Sequence, residues 1–595
     1  MNLAKNNSVL LTLLAALIVC IFLTAQFSWR GPDRKGYTHV IDSDGKGYYM
    51  YLPSIFIQKN LASLTPDDRY VFKTQSGAVN KYFSGTAIAM LPFFAGGYIT
   101  AIITHKPLTG YSPPFQKAIS IAGWAYLCLG LFFLAGLLQL YNIRTQLVCI
   151  TLVAIVFGTN LLMYAVYHPS FSHVYSFCFV AMFLYYAKRV FTERRLNHAL
   201  LLAFALGMIV IIRPTNGIIL LALPFIAGSA DVIKDTFKVF LNYRLLAVLA
   251  VFSGIVSIQL ILWHIQTGSF FVQSYKHEGF YFAHPEVLNT LFSFRKGFFL
   301  YTPLAAVSLC GLIIVAKRSR FQLYSLLLFF ALLVYITASW WNWYYGPSFG
   351  QRPFVEFYPL NAVLLAVLLS SLNKPKHLRG FYSFIGLLLA FNLLQSFQYV
   401  KNIISPWDMN FEKYKYTFMR TSPKYYSCLG GNNDIVPYPG SKSLLLDTGN
   451  DYEKEHPYWS ESKIKPVGGD HKNVADFTAL EFNSACDIEA NAAIIKYRLL
   501  YAEIGLEKLE VSPAGSKGPL IGIVVSDAKG KAYTYSTFGI NEIPTRASGY
   551  WKAFSYNVEL PKVKKQGDVI RVYIWNKTLQ PFYIDNFRVR LYGIE

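Results

Sequence analysis

Charge is scarce in this chain. Only 15% of its 595 residues are Asp, Glu, Lys or Arg, against roughly 25% in soluble globular proteins. Acidic residues are scarcer than basic ones, 33 against 55, which leaves a net charge of +22. From residue 405 onward 24 basic residues nearly balance 22 acidic ones, whereas the first 404 carry 31 basic and only 11 acidic. The shortage therefore belongs to the first two thirds, and it excludes a wholly soluble chain. A basic excess can indicate nucleic acid. Inside a hydrophobic body it points instead to lipid headgroups and phosphates, with no nucleic-acid partner. Cysteine is also sparse, at seven, and no zinc-type Cys/His spacing occurs. Cys20, Cys128, Cys149, Cys178 and Cys310 lie in apolar runs, as packing residues do. Cys428 and Cys486 lie in the polar part, where a disulfide is allowed if that part is outside the cytoplasm.

What is abundant is apolar sequence, 54% of the chain. About 20 apolar residues cross a bilayer as a helix, and twelve runs qualify: Ser8–Phe27, Ser84–Ile103, Phe115–Tyr141, Gln146–Val166, Phe171–Ala187, His198–Ile212, Pro214–Gly228, Leu245–Ile265, Phe299–Ala316, Phe321–Ser339, Phe354–Ser371 and Gly380–Val400. The first reads as an uncleaved anchor, because it lacks a small-residue cleavage site. The basic loops "AKRVFTERR", "KRSR" and "NKPKHLR" should face the cytoplasm. Consistency then makes Ser84–Ile103, broken by Pro92, a re-entrant or interfacial helix inside one external loop from about residue 30 to 114. The expected fold is a polytopic α-helical membrane protein of about eleven spans, amino terminus cytoplasmic and carboxyl terminus outside. It carries a membrane body (1–404), a connector (405–440) and an extracytoplasmic all-β sandwich (441–595).

The sandwich is expected from "PLIGIVVSD", "WKAFSYNVEL", "DVIRVYIWN" and "YIDNFRVRLY". In the last, Phe587, Val589 and Leu591 alternate with Arg588, Arg590 and Tyr592, the period of a half-buried strand.

The polar clusters of the body gather on the expected outer side. "HVIDSDGKGYYMYLPSIF" sets Asp42 and Asp44 at the membrane lip; the same loop holds Asp33, Asp67 and Asp68, of which the last two read as solvated loop residues. "YHPSFSHVYS" holds His168 and His173. "IIRPTN" holds Arg213 between apolar runs, where a charge costs roughly 2.5–3.5 kcal/mol unless it faces a cavity, finds a partner or snorkels. "SYKHEGFYFAHPE" and "SFRKGFFLYTP" add Lys276, Arg295 and Lys296, and "SWWNWYYGPSFGQR" ends in Arg352. External cations gain nothing topologically, so an anionic ligand is the economical reason for them, with Arg gripping phosphate in a bidentate fashion and Lys acting as a point charge. Trp343 and Tyr345 belong either to an interfacial aromatic belt or to a face that stacks on a sugar ring.

These features together resemble the glycosyltransferase C superfamily, and more narrowly bacterial relatives of protein O-mannosyltransferases and of the lipid A aminoarabinose transferase. "SDGKGYY" matches the superfamily's Gly-Asp-Glu-x-x-Tyr-like first-loop motif with Asp44 on the Asp, Gly45 on the Glu and Tyr48 on the Tyr. The Glu is missing, and Asp42 stands nearby to take its part. His173 falls where a second acidic residue often follows helix three. "KYFSG" (Lys81–Gly85) and "WYYGPSFGQRPF" are similar to two further external stretches. The resemblance implies a polyprenyl-phosphate sugar donor, a glycan, lipid or protein acceptor, and chemistry at the outer face of the cytoplasmic membrane. In that frame Asp44, then Asp42, is the general base. Lys276, Arg295, Lys296 and Arg352 meet the leaving phosphate. His173, Arg213, Tyr48, Trp343 and Tyr345 line the substrate site. A divalent Mg or Mn held by Asp42 and Asp44 is allowed but not required. The closing "VYIWNKTLQPFYIDNFRV" resembles the last hairpin of jelly-roll carbohydrate-binding domains, so the sandwich is either sugar-binding or purely structural. Rival readings are an O-antigen ligase or polymerase, and a lipid-linked sugar transporter or flippase. A transporter predicts polar residues threading the bilayer and two related halves, and neither is seen.

Overall fold

The computed structural model describes residues 7–29, 39–61, 70–74, 77–275, 278–372, 374–431, 442–497, 499–516, 518–545, 549–560 and 563–594. Asp33, Asp67, Asp68 and Lys276 lie outside them. The chain divides into two compact units, the first Met1–Tyr345 with Phe349–Ser396 and the second Gly346–Ser348 with Phe397–Glu595.

The first unit is helical. Among the described residues, eight helices are long and apolar enough to cross a membrane: Asn7–Ser28, Gly85–Ile103, Pro113–Leu140, His173–Glu193, Tyr243–Thr267, Arg320–Ser339, Arg352–Ser370 and Pro375–Val400. The protein is thus a multi-pass membrane protein, with fewer uninterrupted spans than the eleven expected. Gly85–Ile103 runs unbroken through Pro92 for about 28 Å at the helical rise. By length and composition it is a span candidate rather than the expected re-entrant piece.

Four other expected spans are short or broken, for local reasons. Gln146–Val166 divides into Thr145–Phe157 and Leu161–Val166. At the break, Asn160 donates from Nδ2 to the Phe349 carbonyl at 2.8 Å and accepts from the Tyr358 hydroxyl at 2.5 Å. A continuous helix would draw that side chain away from both. Phe299–Ala316 breaks at Pro303 into Phe298–Tyr301, Pro303–Leu309 and Gly311–Arg318. Proline has no N–H to continue the ladder, and at the break the buried Tyr301 carbonyl accepts from Asn392 Nδ2 at 2.9 Å. Pro214–Gly228 opens as a 3₁₀ helix and then turns by 111° into Ala230–Phe240. Leu196–Ile212 is helical but short.

Packing joins both neighbouring and distant segments. Pro113–Leu140 lies on Gly85–Ile103 and on His173–Glu193, and the latter packs on Leu196–Ile212 and on the 3₁₀ turn Arg352–Phe357. Gly85 makes one crossing close: a Cβ there would sit 2.5 Å from the Ile211 and Ile212 backbone. This brings the start of one helix against the segment that ends at Arg213.

The second unit holds a two-sheet antiparallel β-sandwich. One sheet runs Trp551–Leu560, Leu499–Glu510, Phe582–Ile594, His471–Asp476 and Ile464–Gly468, with Lys442–Asn450 also paired to Phe582–Ile594. The other runs Phe482–Glu489, Val569–Asn576, Pro519–Ser526 and Ala532–Gly539. The four expected strands form, and Phe587, Val589 and Leu591 enter the core as their alternation requires. Cys428 and Cys486 are not joined to each other, which corrects the allowed disulfide: Cys486 is buried in that core.

A charged pair is buried in the second unit. Lys508 pairs with Glu510 and donates to Asn541 Oδ1 at 2.9 Å, and Asn541 Nδ2 returns a bond to Glu510 at 2.6 Å. Removing one member of a buried pair typically costs about 3–5 kcal/mol. Lys508→Met is expected to destabilise the sandwich by about that much, and Lys508→Met/Glu510→Gln to recover most of the loss, read by thermal unfolding followed through the tryptophan signal.

Candidate functional site

The first loop is stapled to the bundle before any chemistry is considered. Ile41 N–H donates to Gln116 Oε1 at 2.8 Å. Ser170 Oγ donates to the Val40 carbonyl at 2.7 Å, and Asn80 Nδ2 to the Gly47 carbonyl at 2.8 Å. Asp44 then opens the short helix Asp44–Tyr49. Two glycines allow the approach. A Cβ at Gly45 would lie 1.9 Å from Ser170 Oγ, and one at Gly47 would lie 2.4 Å from the Tyr82 ring. The glycine that stands in place of the motif's Glu is thus a steric requirement, since no acidic side chain fits there.

Asp44 is held at both oxygens. Oδ1 accepts from the Tyr82 hydroxyl at 2.7 Å, and Oδ2 pairs with Arg352 Nη2 at 2.6 Å. Burial works to raise its carboxyl, but Arg352, the Tyr82 hydrogen bond and Lys81 outweigh it and hold the group below the usual carboxylate range. The carboxylate keeps 24% of its side chain exposed, against 8% for Arg352. Tyr82 packs against Tyr48 with ring centroids 4.3 Å apart and meets the Tyr275 edge at 6.2 Å. Lys81 Nζ lies 2.5 Å from Glu278 Oε1 and over the Tyr82 and Tyr275 rings.

A second carboxylate sits behind the first. Glu356 lies four residues after Arg352, in the same 3₁₀ turn, and is fully buried. Its Oε1 is 3.0 Å from His173 Nδ1 and 3.3 Å from Arg213 Nη1. Among the described residues, its Oε2 and the Nε of Arg352 are buried without a hydrogen-bond partner. Arg213 interacts with Tyr48, Tyr275 and Tyr345, and it repels Arg352 across the site. The His168 imidazole is pushed down to about 3 by burial, then by Arg352 and Lys296, which brings Lys296 into the same field. Arg352 also lies over the Phe171 ring, 5.3 Å from its centroid.

The structure therefore gathers Asp44, Tyr48, His173, Arg213, Lys296, Tyr345 and Arg352 in one neighbourhood. Other sequence candidates are disposed differently. Asp42 is exposed. Arg295 stacks its guanidinium on Tyr344, 3.3 Å from the centroid. Trp343 is buried edge-on to Tyr344 and accepts from Gln351 through its carbonyl. A divalent metal on Asp42 and Asp44 does not fit, because both Asp44 oxygens are engaged and a guanidinium already supplies the neutralising cation. Sequence reasoning missed Glu356, Tyr82 and Glu278. Glu356 had a usable signal: it is an acidic residue inside an apolar run, which demands a partner.

No protein-family model matches the chain, and no curated protein matches it. Three solved structures are similar in part. A CBM22-1 xylan-binding domain of Xyn10C from Paenibacillus barcinonensis is 14% identical, with 26% of this chain and 98% of that chain covered and a TM-score of 0.18. An arabinose-bound MgGH51 α-L-arabinofuranosidase is 12% identical, with 23% of each chain covered and a TM-score of 0.16. The arabinosyltransferase EmbB from Mycobacterium smegmatis is 11% identical, with 97% of this chain and 64% of that chain covered and a TM-score of 0.39. At these scores none of them bears on the chemistry of the site.

Gly45→Ala is expected to push the first loop off Ser170, at a cost of about 1–3 kcal/mol. The check is faster protease cleavage between residues 39 and 61, with Gly96→Ala, where a Cβ meets nothing within 4 Å, unchanged.

Proposed function

We propose that this protein is a membrane glycosyltransferase that moves a sugar from a polyprenyl-phosphate carrier to an acceptor hydroxyl at the extracytoplasmic face, with Asp44 as general base. The observation that carries the reading is the partly exposed Asp44 carboxylate, fixed between Tyr82 and Arg352 and acted on by Lys81, with Arg213 facing Arg352 and Lys296 acting on His168 nearby. A base of lowered pKa stays ionised at neutral pH, and the cations suit a leaving phosphate.

In this mechanism the acceptor oxygen attacks the anomeric carbon from the face opposite the phosphate. Its proton passes to Asp44, the bond between the anomeric carbon and the phosphate oxygen breaks, and the polyprenyl phosphate departs with the electron pair. The configuration inverts. Arg352 is shared between Asp44 and the phosphate, and its buried Nε supplies a further donor. Glu356 orients Arg213 toward the same charge and positions it without touching substrate. The aromatic faces of Tyr48 and Tyr345 suit a sugar ring. The sandwich has a strip of its own, Phe482 with Tyr573 at 5.7 Å and Trp575 at 6.3 Å, and we assign it a glycan-holding part.

Membranes containing the full chain, given radiolabelled polyprenyl-phosphate sugars, test the reading. Asp44→Asn should lower transfer by about 10²–10⁴-fold with normal insertion. Unchanged transfer removes Asp44 from the base role, and no transfer from any carrier lipid favours transport or binding. Glu356→Gln should raise the donor KM more than it lowers kcat, whereas equal effects on both would deny it a part in holding the donor. Because Asp44 is held below its ordinary pKa, activity should persist through mildly acidic pH and fall only as the carboxylate protonates. Tyr82→Phe removes one of the bonds that lower it, so the acid limb of the pH–rate profile should move to higher pH; an unmoved limb would show that Asp44 does not set it.

A further inference from the structure

Far along the chain from this site, on the outer face of the six-stranded sheet, three side chains from three strands converge. Asp585 on Phe582–Ile594 stands directly opposite Glu507 on Leu499–Glu510 in the strand register. Two carboxylates facing each other across a ladder are destabilising unless a cation joins them. Among the described residues no Lys or Arg pairs with either. What joins them is His471, at the start of His471–Asp476: its Nδ1 lies 2.6 Å from Asp585 Oδ2 and 3.6 Å from Glu507 Oε2. The imidazole is not free to swing, because it stacks on Trp551 at 4.0 Å and 21°. The carboxylates are braced as well. Asn586 donates its N–H to Asp585 Oδ1 at 2.7 Å and its side-chain amide to Glu507 Oε2 at 3.0 Å.

The geometry points to a transition-metal site of the zinc class formed by His471 Nδ1, Asp585 and Glu507. The three ligand atoms lie within 4.8 Å of one another. Ligands about 2.0–2.2 Å from a tetrahedral zinc stand roughly 3.3–3.5 Å apart, so the His471–Glu507 contact is already near that spacing and the His471–Asp585 contact has to open by less than an ångström. One imidazole with two carboxylates is a nitrogen–oxygen set suited to Zn²⁺, whereas Ca²⁺ favours six to eight oxygens. The asparagine bonds to the two carboxylates are the outer contacts that orient metal ligands. On binding, the metal replaces the proton shared between Nδ1 and Oδ2, which goes to solvent, and water completes the coordination. Three protein ligands leave that fourth position open, as in sites where the metal meets an exogenous oxygen.

The test uses the full chain in detergent, stripped with chelator, then dialysed against zinc chloride with bound metal counted by elemental analysis. One zinc per chain is expected, lost in His471→Gln and in Glu507→Gln, with Cys310→Ser unchanged because its exposed thiol is no part of the site. Thermal unfolding of the native chain, which needs no variant, should shift upward with zinc. Zinc retained in both variants overturns the assignment. So does an absent zinc shift in the native chain, or calcium binding that survives His471→Gln. Sugar transfer is not read in these arms, so their outcome is separate from that of the proposed activity.

Discussion

The ion pair between Asp44 and Arg352 is the constraint on which the membrane unit turns. It joins a loop that follows the first helix to a turn more than 300 residues later, and it does so at 2.6 Å in a largely buried setting. A buried pair repays its desolvation only when further hydrogen bonds complete it. Tyr82 supplies one on the Asp44 side. Everything that fixes the first loop, from the Ser170 bond to Val40 to the Asn80 bond to Gly47, has the effect of holding one carboxylate at one place.

Glycine is the second part of that constraint. Gly45 and Gly47 both lie where any side chain would collide, the one with Ser170 and the other with Tyr82. Neither position can therefore supply a second acidic group. The second carboxylate of the site comes from elsewhere, from Glu356 on the turn that also supplies Arg352. The 3₁₀ turn packs on His173–Glu193, so His173 meets Glu356 rather than acting as an acid of its own. A single short element thus arms the site with a cation toward Asp44 and an anion toward Arg213.

Much of this was legible in the residues. Apolar runs gave the multi-pass body, alternation in "NFRVRLY" gave a sandwich strand, and the placement of cations in short polar loops singled out Arg213, Lys296 and Arg352. The span count was not legible, because it depends on what a side chain does at a break. Nothing local in "FGTNLLMY" says that Asn160 must reach Phe349 and Tyr358. Glu356 was hidden by its neighbours, since an apolar run averages out a single acid. Asp42 stood next after Asp44 as a base, yet one is exposed and the other held, a difference set by tertiary partners and not by spacing. The His471 cluster was invisible for the same reason: its members are separated by more than 30 residues in each direction and meet only through strand order.

The balance of charge in the site gives the last step. Lys81, Arg213, Lys296 and Arg352 stand near Asp44, Glu278 and Glu356. Arg213 and Arg352 repel each other in a partly dehydrated space. Such repulsion is costly, and helix packing alone has no use for it, since apolar residues of like volume would fill the same space without it. Asp44 and Glu356 are already tied, the one to Tyr82 and Arg352 and the other to His173 and Arg213. An anion between the two guanidinium groups would remove the repulsion and satisfy the buried Arg352 Nε, and a phosphate group would suit that place in sign and in its capacity to accept several hydrogen bonds at once.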